Sequence, residues 1–180
     1  LLHIALPLAI SFFSFQQIAY LVDIYKGKVG EHNLLTYSVF VCFFPQLIAG
    51  PIVHHSEMVP QFLNIKNSFI NYKNVATGLF IFILGLFKKV VIADHFSLWA
   101  TPAFDQAESL TFLEGWAASL SYTFQIYFDF SGYSDIAVGA AYLLGFRIPF
   151  NFRTPYLSTG PGEFWQRWHI TLSSWIRDYL

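Results

Sequence analysis

Residues 162–180 gather a histidine, His169, with Trp165, Trp168 and Trp175 and with Arg167 and Arg177. A neutral imidazole in a partly dry aromatic setting is suited to take a proton from a hydroxyl or thiol near neutral pH. On a helical wheel Phe164, Trp168, Leu172, Trp175 and Tyr179 share one stripe, with Arg167, Thr171, Ser174 and Asp178 on a polar stripe beside it. His169 lies on the other shoulder, flanked by Trp165 and Ile176, with Ser173 one turn on and within reach. The bland alternative is an interfacial histidine bonded to Ser173 or to a backbone carbonyl.

A second set of candidates is acidic. Asp129 and Asp135 stand in an otherwise apolar, aromatic region around Ser131 and Gly132. An ionised group at mid-membrane costs at least ~2.5 kcal/mol, so such residues are paired, line a cavity or are kept neutral. Either they occupy a solvated loop between two helices, or a break at Ser131 and Gly132 opens a polar pocket. His54 and His55 are adjacent on an expected extended surface loop, where they point to opposite sides and make a poor metal pair. His95 reads as a helix cap, and His3 and His32 have no distinguishing context. No metal site is expected. No nucleophile elbow, phosphate-binding glycine loop or zinc-helix motif is present.

The elements that must hold these groups are set by composition. The chain is 55% hydrophobic, 20% aromatic and 12% charged, about half the charge of a soluble domain. That is too little to cover a globule in water, so the chain reads as integral to a membrane. A net charge of −1 without a lysine or arginine cluster argues against a nucleic-acid partner. The single cysteine, Cys42, excludes an intrachain disulfide and reads as a small buried hydrophobe.

The pattern predicts an all-α fold: a polytopic bundle of transmembrane helices with interfacial amphipathic and re-entrant helices. Residues 1–22 are long enough to span a bilayer. Residues 34–49 are apolar but short, with Pro45 and Gln46 near the end, and read as tilted, broken or re-entrant. A loop is expected over 50–74, a span over 75–93 with Lys88 and Lys89 near its far end, and an acidic connection at Asp105, Glu108 and Glu114. Residues 115–150 read as two helices or half-helices meeting at Gly132. Gly160 as cap, Pro161 at the first helical position and Glu163 near the positive end signal the start of a terminal interfacial helix. Alternating crossings place Lys26, Lys28, Lys88, Lys89, Arg147, Arg153, Arg167 and Arg177 on the cytoplasmic side and Lys66 and Lys73 opposite. No internal repeat is found. The chain opens at Leu1 inside an apolar run and closes at Leu180 with the amphipathic pattern still running, so 1–180 are expected to be part of one larger membrane domain, truncated at both ends.

Three blocks carry a resemblance. Residues 163–180 (Glu-Phe-Trp-Gln-Arg-Trp-His-Ile-Thr-Leu-Ser-Ser-Trp-Ile-Arg-Asp-Tyr-Leu) resemble the signature of the membrane-bound O-acyltransferases. Residues 44–53 (Phe-Pro-Gln-Leu-Ile-Ala-Gly-Pro-Ile-Val) and 125–135 (Gln-Ile-Tyr-Phe-Asp-Phe-Ser-Gly-Tyr-Ser-Asp) are similar to two further blocks, in the same order. The nearest branch is bacterial alginate O-acetylation, with teichoic-acid D-alanylation beside it. The resemblance implies a multi-pass protein of the bacterial inner membrane with a funnel between the two membrane faces. It implies transfer of an acyl group, acetyl in the polysaccharide branch, from acetyl-CoA or another acyl thioester, with no bound cofactor. The acceptor is a hydroxyl of an exported, alginate-like polysaccharide, reached with periplasmic or membrane acetylation partner proteins.

His169 is thereby implied as base or supporting residue, and Asp129, Asp135, Ser173, Trp168, Arg167, His54 and His55 as funnel-lining candidates. Arg167 and Arg177 suit a phosphate-bearing donor or anionic lipid equally. The family's most critical histidine is expected beyond Leu180, and no histidine follows His169, so these 180 residues alone are expected to be inactive. Two rival readings remain: a transporter segment using Asp129 and Asp135 as an ion relay, and a non-catalytic scaffold.

Overall fold

A computed structural model describes residues 9–28, 33–47, 50–106 and 109–180. His3, His32, Glu108 and most of the expected first span before Ile10 lie outside the described residues. Among these residues the fold is all helical: α1 (Ile10–Tyr25), α2 (Leu34–Val41), α3 (His55–Phe62), α4 (Tyr72–Leu86), α5 (Asp94–Asp105), α6 (Phe112–Leu143), α7 (Pro161–Arg167) and α8 (Ile170–Tyr179).

A π-helical turn, Phe87–Ala93, joins α4 to α5 without a break. The resulting helix, Tyr72–Asp105, is the one helix among the described residues that is long and apolar enough to cross a membrane. The expected boundary near Ala93 is therefore wrong. Lys88 and Lys89 sit in mid-helix and not in a cytoplasmic connection, which removes them from the orientation argument. Polar side chains start the helices: Asn71 Oδ1 accepts from the Lys73 and Asn74 amides, and Glu114 accepts from both the amide and hydroxyl of Thr111. Glu114 thus serves as a capping residue, a role its place in the acidic connection did not suggest.

α6 runs unbroken through Ser131 and Gly132, so the expected break there does not exist. Those two residues are small for another reason. α4 and α6 lie antiparallel with their backbones touching: a Cβ on Gly132 would stand 2.8 Å from the Gly85 carbonyl oxygen and 2.9 Å from the Lys89 nitrogen. Gly78 and Gly139 repeat the contact one step along. Small residues that admit backbone contact are the usual means of joining apolar helices.

Residues 34–47 are broken, as expected: α2 ends at Val41 and a 3₁₀ turn, Phe44–Gln46, follows. Cys42 is exposed, against expectation, because it caps α2 at the surface while Phe40 and Phe43 turn inward. The expected loop over 50–74 contains α3, so His55 is helical and buried and not on a surface loop. Phe40, Phe43, Val53, Met58, Val138 and Ile148 form one core cluster. Ala19, Ile52 and Trp175 centre a second, where α8 meets α1.

The terminal segment starts as expected, with Gly160 as cap and Pro161 in first position. It is not one helix. α7 stops at Arg167, and α8 restarts at Ile170 after His169 takes left-handed backbone angles, φ 43° and ψ 55°. The single stripe from Phe164 to Tyr179 is therefore cut in two. Trp175, expected on the terminal interfacial helix, is 2% exposed and donates its indole N–H to the Phe15 carbonyl at 2.9 Å.

Candidate functional site

The break at His169 is held from several sides. Across it, the Arg153 amide donates to the Arg167 carbonyl and the Ile170 amide to the Asn151 carbonyl, both at 2.9 Å. The buried Asn151 side chain accepts from the Thr171 amide at 3.2 Å and from the Thr171 hydroxyl at 2.6 Å. Thr171 in turn accepts from the Ile52 amide at 3.1 Å, which ties the 44–53 block to the break. A left-handed residue other than glycine is sparsely populated and persists only where surroundings over-determine it. Nothing in the sequence distinguished Asn151; its loop position gave no signal of a partner 20 residues on.

What the break delivers is an enclosed imidazole. His169 is 6% exposed. The Phe130 ring meets it edge-on at 4.8 Å, and the rings of Phe12 and Phe152 stack at 5.9 and 6.4 Å. Both ring nitrogens lack a hydrogen-bond partner among the described residues. The expected contact with Ser173 is not made: that hydroxyl reaches the Trp168 carbonyl at 3.4 Å, because the break swings His169 out of the helical register. Phe12 also walls a cavity of about 230 Å³, together with Gln16, Gln46, Pro51 and Ile52. The Gln46 amide nitrogen donates to the Phe40 carbonyl, and its Oε1 has no partner among the described residues.

Burial pushes the pKa of His169 down from 6.5 to about 4. Unfolded chain therefore takes up a proton before folded chain does. The stability held by keeping this ring neutral is complete above about pH 6.5 and is lost as the pH falls towards 4. We expect the thermal midpoint of the wild-type protein to fall further between pH 6.5 and 4 than that of His169→Leu. Equal falls would show that the ring titrates freely.

The two aspartates are paired with lysines. Lys88 Nζ stands 2.6 Å from Asp135 Oδ2, and Lys89 Nζ 2.7 Å from Asp129 Oδ1 and 2.6 Å from Asp94 Oδ1. The π turn makes this geometry. Residues five apart diverge by about 140° on an α-helix, whereas a π turn closes the Asp94 amide onto the Lys89 carbonyl and aligns their side chains. Asp135→Asn should leave Lys88 unpaired in an apolar pair of helices and cost on the order of 2–3 kcal/mol. The charge exchange Lys88→Asp with Asp135→Lys should restore most of it, measured as the midpoint of unfolding in detergent.

The remaining candidates are dispersed. Trp168 stacks on Phe164 at 5.6 Å within a group that includes Phe152 and Tyr156. Arg167 is already engaged by Glu163 and by the Thr154 hydroxyl, which leaves it less suited to a donor phosphate than its charge implied. His55 packs against the rings of Phe40 and Tyr20, while His54 turns to Tyr179 at 3.1 Å. The two do face different ways, and no cluster able to hold a metal occurs among the described residues. Among the described residues the aromatic wall of His169 is formed by Phe12, Phe130 and Phe152.

A fold that is all helical among the described residues, touching helix backbones and a histidine sealed by aromatic rings next to the 44–53 block point to one class. Residues 10–180 match the membrane-bound O-acyltransferase family, and the chain belongs to it. It is 51% identical, over 99% of its length, to the peptidoglycan O-acetyltransferase of Helicobacter pylori, and covers 39% of that protein. It is 44% identical over 100% of its length to the Pseudomonas aeruginosa protein named "Probable alginate O-acetylase AlgI", covering 34% of it. It is 30% identical over 96% to the teichoic acid D-alanyltransferase of Streptococcus thermophilus, covering 43%. The chain thus spans between 34% and 43% of the length of these relatives.

Proposed function

We propose that the protein is an integral-membrane O-acyltransferase that moves an acetyl group from a cytoplasmic thioester donor to a hydroxyl of a cell-envelope polysaccharide. The observation that carries the reading is the enclosed His169, a neutral base whose two nitrogens have no partner among the described residues and are kept from water by three phenylalanine rings. A base removes the hydroxyl proton, the alkoxide attacks the thioester carbonyl, and the leaving thiolate takes the proton back. Family membership supplies the reaction class. Relatives named for peptidoglycan, alginate and teichoic acid supply the acceptor class, an envelope polymer.

The membrane bundle, inner-membrane location, acetyl-CoA-type donor, acetylation partner proteins and a second histidine beyond Leu180 belong to this same reading. The aspartates work in it as helix-pairing charges, since Lys88 and Lys89 already neutralise them. That pairing also weakens the ion-relay alternative. The test is to incubate membranes containing the full-length protein with radiolabelled acetyl thioester and envelope polysaccharide. Base-labile label on the polymer supports the reading. Transfer of D-alanine in place of acetyl would keep the reaction class and change the acyl group, and absence of both would overturn it.

A further inference from the structure

Two glutamines meet at the cavity that shares the Phe12 wall with His169. The cavity, of about 230 Å³, lies between the first half of α1 and the 44–53 block. The described residues that line it are apolar apart from Gln16 and Gln46, and none of them is charged. Both glutamines are 7% exposed. Gln46 donates from Nε2 to the Phe40 carbonyl, and its Oε1 has no partner among the described residues. The Gln16 amide makes no hydrogen bond among them at either end. An amide left unbonded in apolar surroundings is costly, and a fold that keeps one there needs a reason.

Position supplies that reason. Residues four apart on a helix share a face and lie about 5–6 Å apart, so Gln16 stands one turn from Phe12. The Phe12 ring in turn stacks on His169 at 5.9 Å. A group hydrogen-bonded to Gln16 inside the cavity is thereby held one helical turn from the ring that covers the base.

The walls narrow what that group can be. With no charge among the described lining residues, the cavity does not match a phosphate, a carboxylate or an ammonium group. Two amides are too few partners for a bare sugar ring, whose several hydroxyls would each lose a bond to water. A glutamine amide presents N–H donors and a C=O acceptor in one plane. Its complement is a neutral group with C=O and N–H in one plane, and the apolar walls take the carbons on either side.

We infer that this cavity binds a secondary amide and that Gln16 is the side chain that bonds it. Two reactants of the proposed transfer can carry such a group: the arm of an acyl thioester donor, and the acetamido group of an amino-sugar acceptor. The inference rests on the acyl-transfer reading for these two sources and not for the site. It adds no bond-making step.

The test measures binding without turnover, by saturation-transfer NMR on the full-length protein in detergent. Each pair of probes differs only in the amide N–H. The donor pair is N-acetyl-S-methylcysteamine and the ester in which oxygen replaces its N–H. The acceptor pair is methyl N-acetylglucosaminide and its counterpart with an acetate ester at the same carbon. In at least one pair the amide should bind about fivefold more tightly than the ester, the worth of one hydrogen bond. A preference in the donor pair assigns the cavity to the thioester arm, and one in the acceptor pair assigns it to the amino sugar. Gln16→Met keeps the length of the side chain and removes both polar atoms, so it should erase the preference and leave ester binding unchanged. If that variant does not accumulate, Gln16→Asn, which withdraws the amide by one carbon, should show the same loss. Equal binding of amide and ester in both pairs, or a preference that survives the loss of Gln16, would overturn the inference. Selective binding without acyl transfer to any acceptor would keep the amide site and remove the proposed reaction.

Discussion

His169→Leu is expected to reduce acyl transfer by the full-length protein at least about a hundredfold, the scale of losing a positioned base, while leaving it folded. The two halves of that result have separate causes. Leucine is close to imidazole in size, so the space between Phe12, Phe130 and Phe152 stays filled. It also removes two buried nitrogens with no partner among the described residues, whose desolvation costs about 1–3 kcal/mol. Against this, the left-handed φ of 43° suits leucine less well than histidine, which is enriched in that region, a difference on the order of 1 kcal/mol. The terms nearly cancel, so unfolding should move by no more than about 1 kcal/mol. Transfer measured with labelled thioester and stability measured in the same detergent preparation separate the outcomes. Loss of both would mean that the ring is a packing element, and retention of transfer would remove His169 from the chemistry.

Gly132→Ala carries the second large effect, and here stability is what fails. The added methyl would meet the Gly85 carbonyl at 2.8 Å and the Lys89 amide at 2.9 Å, and neither is a side chain that can turn aside. α4 and α6 must part, at a cost of about 1–3 kcal/mol, and the Lys88–Asp135 and Lys89–Asp129 pairs stretch with them. The same change at Gly115, in the same helix, meets nothing within 4 Å. It should stabilise by about 0.5–1 kcal/mol, since alanine is the better helix former. Opposite signs from one substitution at two positions of α6, read as unfolding midpoints, would establish the close crossing. Equal effects would refute it.

The sequence by itself determined the class. Low charge and abundant aromatic side chains require burial in lipid or protein, and three ordered blocks carry the family resemblance that residues 10–180 bear out. It also marked local starts and stops, such as Gly160 and Pro161, because capping depends on a few neighbouring residues. It singled out His169 among six histidines, since its aromatic neighbours are adjacent in the chain.

Tertiary structure alone decided what those residues do. Helical periodicity cannot foresee the break at His169, because the bonds that impose it come from Asn151 and Ile52, far away in sequence. The pattern Ser131, Gly132 reads as a weak point when α6 is taken alone, yet it is the closest contact once Gly85 lies against it. Asp129 and Asp135 look like isolated charges until a π turn presents Lys88 and Lys89 to them. Tyr179 bonds to Asp23, 156 positions away, and meets His54, 125 positions away. Local propensity acts over one helical turn, whereas these outcomes depend on which distant groups share a buried contact, and only the folded chain sets that.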